Sequence, residues 1–131
     1  MNIFNNQPAE ILILVFLIVT FLQSGIDKIT DWKGNIAYIT DHFKNSPLRN
    51  MVPFLLATVL VFEVVASILM IIGVGQLATN GGAEIALVGA EISAICLIFM
   101  LIGQRLAKDY AGAMTLAVYF IINVFALYLL Q

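Results

Sequence analysis

Met51-Val52-Pro53-Phe54-Leu55-Leu56-Ala57-Thr58-Val59-Leu60-Val61-Phe62-Glu63-Val64-Val65-Ala66-Ser67-Ile68-Leu69-Met70-Ile71-Ile72-Gly73 carries a single ionisable side chain, Glu63, near its centre. A bilayer core needs about 20 mainly apolar residues to cross it as a helix, and this run supplies them. A charged group at the centre of such a helix costs about 2.5–3.5 kcal/mol on insertion scales, so a residue of this kind faces the bundle interior or a polar cavity. The stretch therefore predicts a membrane-spanning helix with an inward-facing carboxyl.

The rest of the chain agrees with that class. Of its 131 residues, 62% are hydrophobic and only 11% charged, against roughly 45–50% apolar and about 25% charged in soluble domains. A soluble core cannot hide that excess, so the expectation is one integral membrane domain spanning 1–131. The net charge of −2 comes with no basic tail, which leaves no case for nucleic acid. The one cysteine, Cys96, cannot form an internal disulfide, and a thiol-disulfide enzyme is disfavoured. Glu10 and Pro8 before the first apolar stretch, with no positive n-region, disfavour a cleaved signal peptide.

Four spans are expected at about 9–28, 52–77, 83–103 and 112–130. Asn6 or Gln7 followed by Pro8 opens the first, and Asn50 with Pro53 opens the second. Gly81-Gly82 turns the chain between the second and third. In the loop 29–50, Ile29, Trp32, Ile36, Ile39 and Phe43 recur at steps of three and four among polar residues. That pattern predicts an amphipathic helix at the membrane surface, over about 35–45 if Gly34 breaks it. The fold class is then all-α, an up-down four-transmembrane-helix bundle with an interfacial helix between helices 1 and 2. All six Lys and Arg residues fall in loop 29–50 with its flanks or in loop 104–111. The positive-inside rule puts both loops in the cytoplasm and both termini outside.

Each span carries polar positions. Glu63, Ser67 and Met70 share one face, and Glu84 and Glu91 share another. Thr115, Tyr119 and Asn123 recur at i, i+4, i+8, and Thr20, Gln23, Ser24 and Asp27 form a stripe near the end of the first helix. At about 1.5 Å per residue Glu63 and Asn123 lie at similar depth. The expected ligand or proton site is Glu63, Glu91, Asn123, Tyr119 and Ser67, with Glu63 hydrogen-bonded to Asn123 or Tyr119. Gln23, Asp27, Lys28 and Arg105 are expected to cluster at the cytoplasmic edge, Asp27 pairing with Lys28 or Arg105. A carboxyl held neutral at Glu63 can carry a proton, donate to a ligand or tie two helices together. His42 reads as a solvated histidine, and no residue set has metal-ligand spacing. Small residues at Gly89/Ser93, Ala90/Ala94, Ala66/Gly73 and Ala113/Ala117 read as helix contacts.

Three segments together carry a family resemblance. Phe21-Leu22-Gln23-Ser24-Gly25-Ile26-Asp27-Lys28-Ile29 resembles the Gly-x-x-Lys signature that ends the first helix of the DoxX family. Asn45-Ser46-Pro47-Leu48 is similar to the segment before that family's second helix. Glu63 followed ten residues later by Gly73 resembles its second-helix pattern. The resemblance implies a small four-helix protein of the bacterial inner membrane, with Gly25, Lys28 and Glu63 as the carried-over positions. It also implies a link to quinone-dependent sulfur oxidation, redox-stress complexes or assembly roles. The chain lacks the cysteines of redox-active relatives and the basic residue that often begins the first helix. The expectation is therefore an accessory protein or subunit without catalysis of its own, whose polar core around Glu63 binds a lipid, a quinone or a partner helix. A proton-coupled small-molecule transporter and a quinone-linked oxidoreductase subunit are the alternatives. The cofactor is left open, a quinone being the one suggested. The expected partners are the bilayer and other membrane subunits or a second copy.

Overall fold

The computed structural model describes residues 8–79 and 81–131. Its helices are α1 (Pro8–Thr30), α2 (Trp32–His42), α3 (Val52–Ala78), α4 (Glu84–Leu106) and α5 (Tyr110–Leu130). α1, α3, α4 and α5 are each long and apolar enough to cross a membrane. They coincide with the expected spans to within a turn. Among the described residues there is no strand, so the protein is an all-α membrane bundle.

The spans follow one another around a ring. α1 packs on α3, α3 most extensively on α4, and α4 on α5, while a lighter α5–α1 contact closes the ring. The core is the inward stripe of each helix: Ile11, Leu14, Leu17 and Phe21 on α1, Ala66, Met70 and Leu77 on α3, Ala86, Ala90 and Leu97 on α4, and Ala126 and Leu130 on α5. Lipid tails are as apolar as leucine, so close backbone approach rather than hydrophobic exclusion holds such helices together. α3 and α4 supply it through their glycines. A Cβ on Gly73 would stand 2.5 Å from Ala86 Cα, and one on Gly89 would stand 3.0 Å from Met70 N.

The turns are closed by backbone hydrogen bonds together with a few capping side chains. Between α3 and α4, Gly81 N donates to Gln76 O at 2.7 Å, and Gly82 takes φ 105°, which only glycine adopts without strain. Gln76 braces the same turn by donating to Glu84 Oε2 at 3.1 Å and accepting from Ile85 N at 3.3 Å. Between α4 and α5, Lys108 has φ 62°, Lys108 N donates to Arg105 O at 3.1 Å and Asp109 N to Gln104 O at 2.9 Å. Those two bonds form a Schellman motif. Asp109 then caps α5, its Oδ1 accepting from Gly112 N at 2.9 Å.

Several local expectations are corrected. α2 begins three residues earlier than expected because Asp31 caps it, Oδ1 accepting from Gly34 N at 3.2 Å. Gly34 thus lies in its first turn rather than breaking it. α2 ends at His42, not near 45. The cap position of α3 is Met51, with Pro53 in the first turn, so Asn50 is not the cap. Asn6 and Gln7, expected to open α1, lie outside the described residues. Most of the predicted apolar stripe faces the bundle, with Phe43 just after α2 buried and Trp32, Ile36 and Ile39 half-buried, but Ile29 belongs to the last turn of α1 and is exposed.

His42 is not simply solvated. Its Nε2 lies 2.9 Å from Gln104 Oε1 and 3.3 Å from Asp109 Oδ2, fastening the end of α2 to the α4–α5 turn. His42→Ala should release that end. Amide exchange across α2 and the following turns should quicken, while the global unfolding midpoint moves little, since a half-exposed link of this kind contributes on the order of 1 kcal/mol. Hydrogen exchange with mass spectrometry reads the difference.

Candidate functional site

Lys28 and Glu63 meet inside the bundle. Lys28 continues the inward stripe of α1 through Ile11, Leu14, Phe21 and Gly25, and Glu63 lies on the buried stripe of α3 with Leu56, Ala66 and Met70. Helical side chains lean toward the N-terminus of their own helix. In antiparallel neighbours the two therefore lean toward each other, Lys28 into the bundle and Glu63 toward the α2 end. Gly25 brings the backbones near, since a Cβ there would already touch Val64 and Leu60 at 3.7 and 3.8 Å.

Lys28 Nζ stands 2.8 Å from Glu63 Oε1, with the lysine side chain 13% exposed and the glutamate 1%. Its well-directed hydrogen bond goes elsewhere, to Ser24 Oγ at 2.7 Å, with Ser24 O at 3.4 Å. The contact with Glu63 is therefore a charge contact rather than an aligned hydrogen bond, and neither carboxylate oxygen accepts a hydrogen bond from a described residue. Lysines near a helix end ordinarily extend outward to the interface. This one turns inward, which is what a buried carboxylate demands of the nearest cation.

Glu63 is among the residues that line a cavity of about 430 Å³, with both of its carboxylate oxygens buried. The cavity's polar lining is Thr20, Gln23, Ser24 and Asp27 from α1, Glu63 from α3 and Tyr119 from α5, closed by Leu97, Met100 and Leu116 among others. Thr20, Gln23, Ser24 and Asp27 thus do share one face, and that face is a wall of the chamber holding Glu63. Gln23 and Asp27 are exposed and Glu63 is buried, so the polar lining runs from surface to interior.

Other expected members lie elsewhere. Asn123 does not reach Glu63; it is 2.6 Å from Ser93 Oγ on α4. In the amide orientation that satisfies both of its ends, it accepts from Ser93 Oγ and donates to Ala90 O at 2.9 Å, tying α5 to α4. Tyr119 lines the cavity with Glu63 and packs its ring near Phe16, centroids 6.4 Å apart. Ser67 donates to Glu63 O at 2.7 Å, a bond within its own helix. Glu91 is exposed on the outer side of α4, because the inward stripe of α4 runs through Ala86, Ala90, Ser93 and Leu97 and Glu91 is one residue out of phase. Asp27 does not hold Lys28, which pairs with Glu63. Arg105 lies over the Tyr110 ring, 5.1 Å from its centroid, and not with Asp27. The sequence reading missed the Lys28–Glu63 pair and the His42–Gln104–Asp109 cluster. The helical phase of Lys28 was the available signal for the first.

Asn123→Ala should loosen α5 from α4. Interhelical hydrogen bonds in membrane proteins average about 0.6 kcal/mol and reach about 1.7 kcal/mol; this fully buried one is expected near the upper figure. Ser93→Ala should reproduce most of the loss and the double variant add little, as unfolding in mixed detergent micelles would show.

A family model described as DoxX matches residues 11–108, which include α1 from Ile11 onward, α2, α3, α4 and both members of the buried pair. No curated protein and no solved structure matches the chain.

Proposed function

The chain belongs to the DoxX family, and from that premise we propose that it is an accessory subunit of a membrane complex whose Glu63 chamber holds a polar group of a membrane-borne molecule or partner helix. One observation carries this reading. Glu63 Oε2 is buried, has no hydrogen-bond partner among the described residues, and belongs to a side chain that lines a cavity of about 430 Å³. Buried polar atoms are nearly always satisfied, and a carboxylate tied to α1 for structure alone needs no chamber beside it. Oε2 is an acceptor, so the group that completes it is a donor: a hydroxyl or amine of a lipid head, a hydroxyl of a reduced quinone, or a polar side chain of another helix. Lys28 Nζ balances the carboxylate from 2.8 Å and is not among the residues that line the chamber. The volume lies within the usual range of small-molecule sites, about 300–1,000 Å³.

In this reading the protein sits in the bacterial inner membrane, with the α2 end and its six basic residues in the cytoplasm and both termini outside. The transporter alternative draws support from one feature, the polar lining that runs from exposed Gln23 and Asp27 to buried Glu63.

Native mass spectrometry of protein extracted from its own membranes tests the accessory reading. Wild type should carry a bound species that Glu63→Ala loses and Asn123→Ala, remote from the chamber, keeps. Equal adducts in all three, or none in wild type, would overturn it. In proteoliposomes, a pH-driven flux abolished by Glu63→Gln would favour the transporter instead.

A further inference from the structure

A second cavity of about 440 Å³ adjoins the Glu63 chamber. Lys28 lines it, and it shares Met100 and Leu116 with the Glu63 chamber. Its character is different. Apart from Lys28, Thr58 and Gln104, its lining is apolar or glycine. Ile39 and Phe43, from α2 and the turn after it, cover it at the basic end of the bundle.

We propose that this cavity holds one acyl chain of an anionic phospholipid from the leaflet at the α2 end. The opening argues for a lipid. Four lining residues from α3 and α4, Phe54, Phe99, Ile102 and Leu106, are 67%, 48%, 50% and 39% exposed, so the cavity opens sideways between those helices into the hydrocarbon. Its volume suits a chain, whereas a helix about 10 Å across needs a groove along its whole length. The rim argues for the head group. Exposed Arg49 follows lining residue Leu48 in the turn before α3. Every other Lys and Arg of the chain is at the same end. Basic residues at a bilayer surface select anionic lipids. Apolar burial gives no preference over bulk lipid, so charge at the rim and the shape behind it make the selection.

The site adjoins the Glu63 chamber along Met100 and Leu116, but Leu55, Leu56 and Val59 line it and not the chamber, so labelling there tests this site alone. The test is photolabelling of the full chain in nanodiscs with phosphatidylglycerol, phosphatidylcholine or a free fatty acid, each bearing a diazirine on its acyl chain. Phosphatidylglycerol should label Leu55, Leu56 and Val59 inside the cavity, about fivefold more than phosphatidylcholine, the factor expected for one basic residue near the surface. Gly103→Leu, whose Cβ would stand 3.4 Å from Phe43 Cζ and whose remaining atoms would occupy the cavity, should lose that labelling. Glu63→Gln should retain it. Labelling confined to the outer face of α5 at Val118 and Ile121, equal labelling by the two phospholipids, or labelling by the fatty acid alone would overturn the proposal. If Gly103→Leu does not fold, the wild-type labelling pattern decides.

Discussion

Lys28→Met should be the most damaging single substitution in the chain, lowering stability by about 3–5 kcal/mol, the cost of leaving one partner of a buried ion pair alone. Methionine keeps much of the aliphatic stem but removes the charge 2.8 Å from Glu63 Oε1. Glu63, 1% exposed, then has neither a cation nor a hydrogen-bond donor among the described residues. Glu63→Gln should cost less, because Lys28 still has Ser24 Oγ at 2.7 Å and, at 13% exposure, a route toward the interface. The double variant Lys28→Met/Glu63→Gln should recover most of the loss. Replacing a buried pair by neutral groups of similar volume is often close to neutral, whereas breaking one is not. Unfolding midpoints in a denaturing-detergent titration of the three variants give the coupling energy directly. Additive losses would mean that the two charges do not interact.

Gly73→Ala should be the second most damaging. In an open helix the change would stabilise, since glycine is about 0.8–1.0 kcal/mol worse than alanine. Here the new Cβ would stand 2.5 Å from Ala86 Cα and 2.6 Å from Ala86 N. Backbone on a neighbouring helix cannot swing aside as a side chain can, so α3 and α4 must separate along their most extensive contact. Overpacking of this kind costs about 1–3 kcal/mol and reverses the propensity gain. Two controls on the same chain isolate the cause. Gly75→Ala meets nothing within 4 Å and should be neutral or slightly stabilising. Gly25→Ala reaches only ordinary contacts at 3.7 and 3.8 Å and should be tolerated. If all three behave alike in the same titration, close α3–α4 approach does not govern stability.

The sequence made the architecture plain because the forces that set it are local and one-dimensional. A bilayer demands about 20 apolar residues per span, and the runs around Leu14, Val64, Ile92 and Phe120 each meet that demand. The amphipathic stripe through Trp32, Ile36 and Ile39 likewise placed α2. Its start moved because one side chain, Asp31, caps Gly34, a bond that hydrophobic period does not register.

The site was legible only in part. Glu63 stands out in any reading of its span, and the Thr20–Asp27 stripe was rightly placed on one face. Depth along a helix does not decide a pairing. Glu63 and Asn123 lie at similar depth by residue count but present different faces, and Asn123 turns to Ser93. Nor does residue count place the head of Lys28, whose long side chain turns inward to Glu63. Phase was the better guide. Lys28 falls on the stripe of Phe21 and Gly25, and Glu91 falls one residue off the stripe of Ala86, Ala90 and Ser93. The His42–Gln104–Asp109 cluster joins residues 62 apart in the chain, a contact that only the packing of α2 against the bundle end creates.

The proposed function gives Glu63 two roles. Oε1 faces Lys28 and joins α1 to α3, and in the proposal Oε2 accepts from the bound group. The Lys28→Met cycle tests the first role and cannot test the second. The direct measurement is an electron-density map of the protein purified from its own membranes without exchange of bound lipid. The account predicts non-protein density in the chamber lined by Thr20, Gln23, Ser24 and Tyr119, with an atom about 2.7–3.2 Å from Glu63 Oε2. A chamber holding only ordered water, or one closed by side chains around an intact Lys28–Glu63 pair, would contradict it.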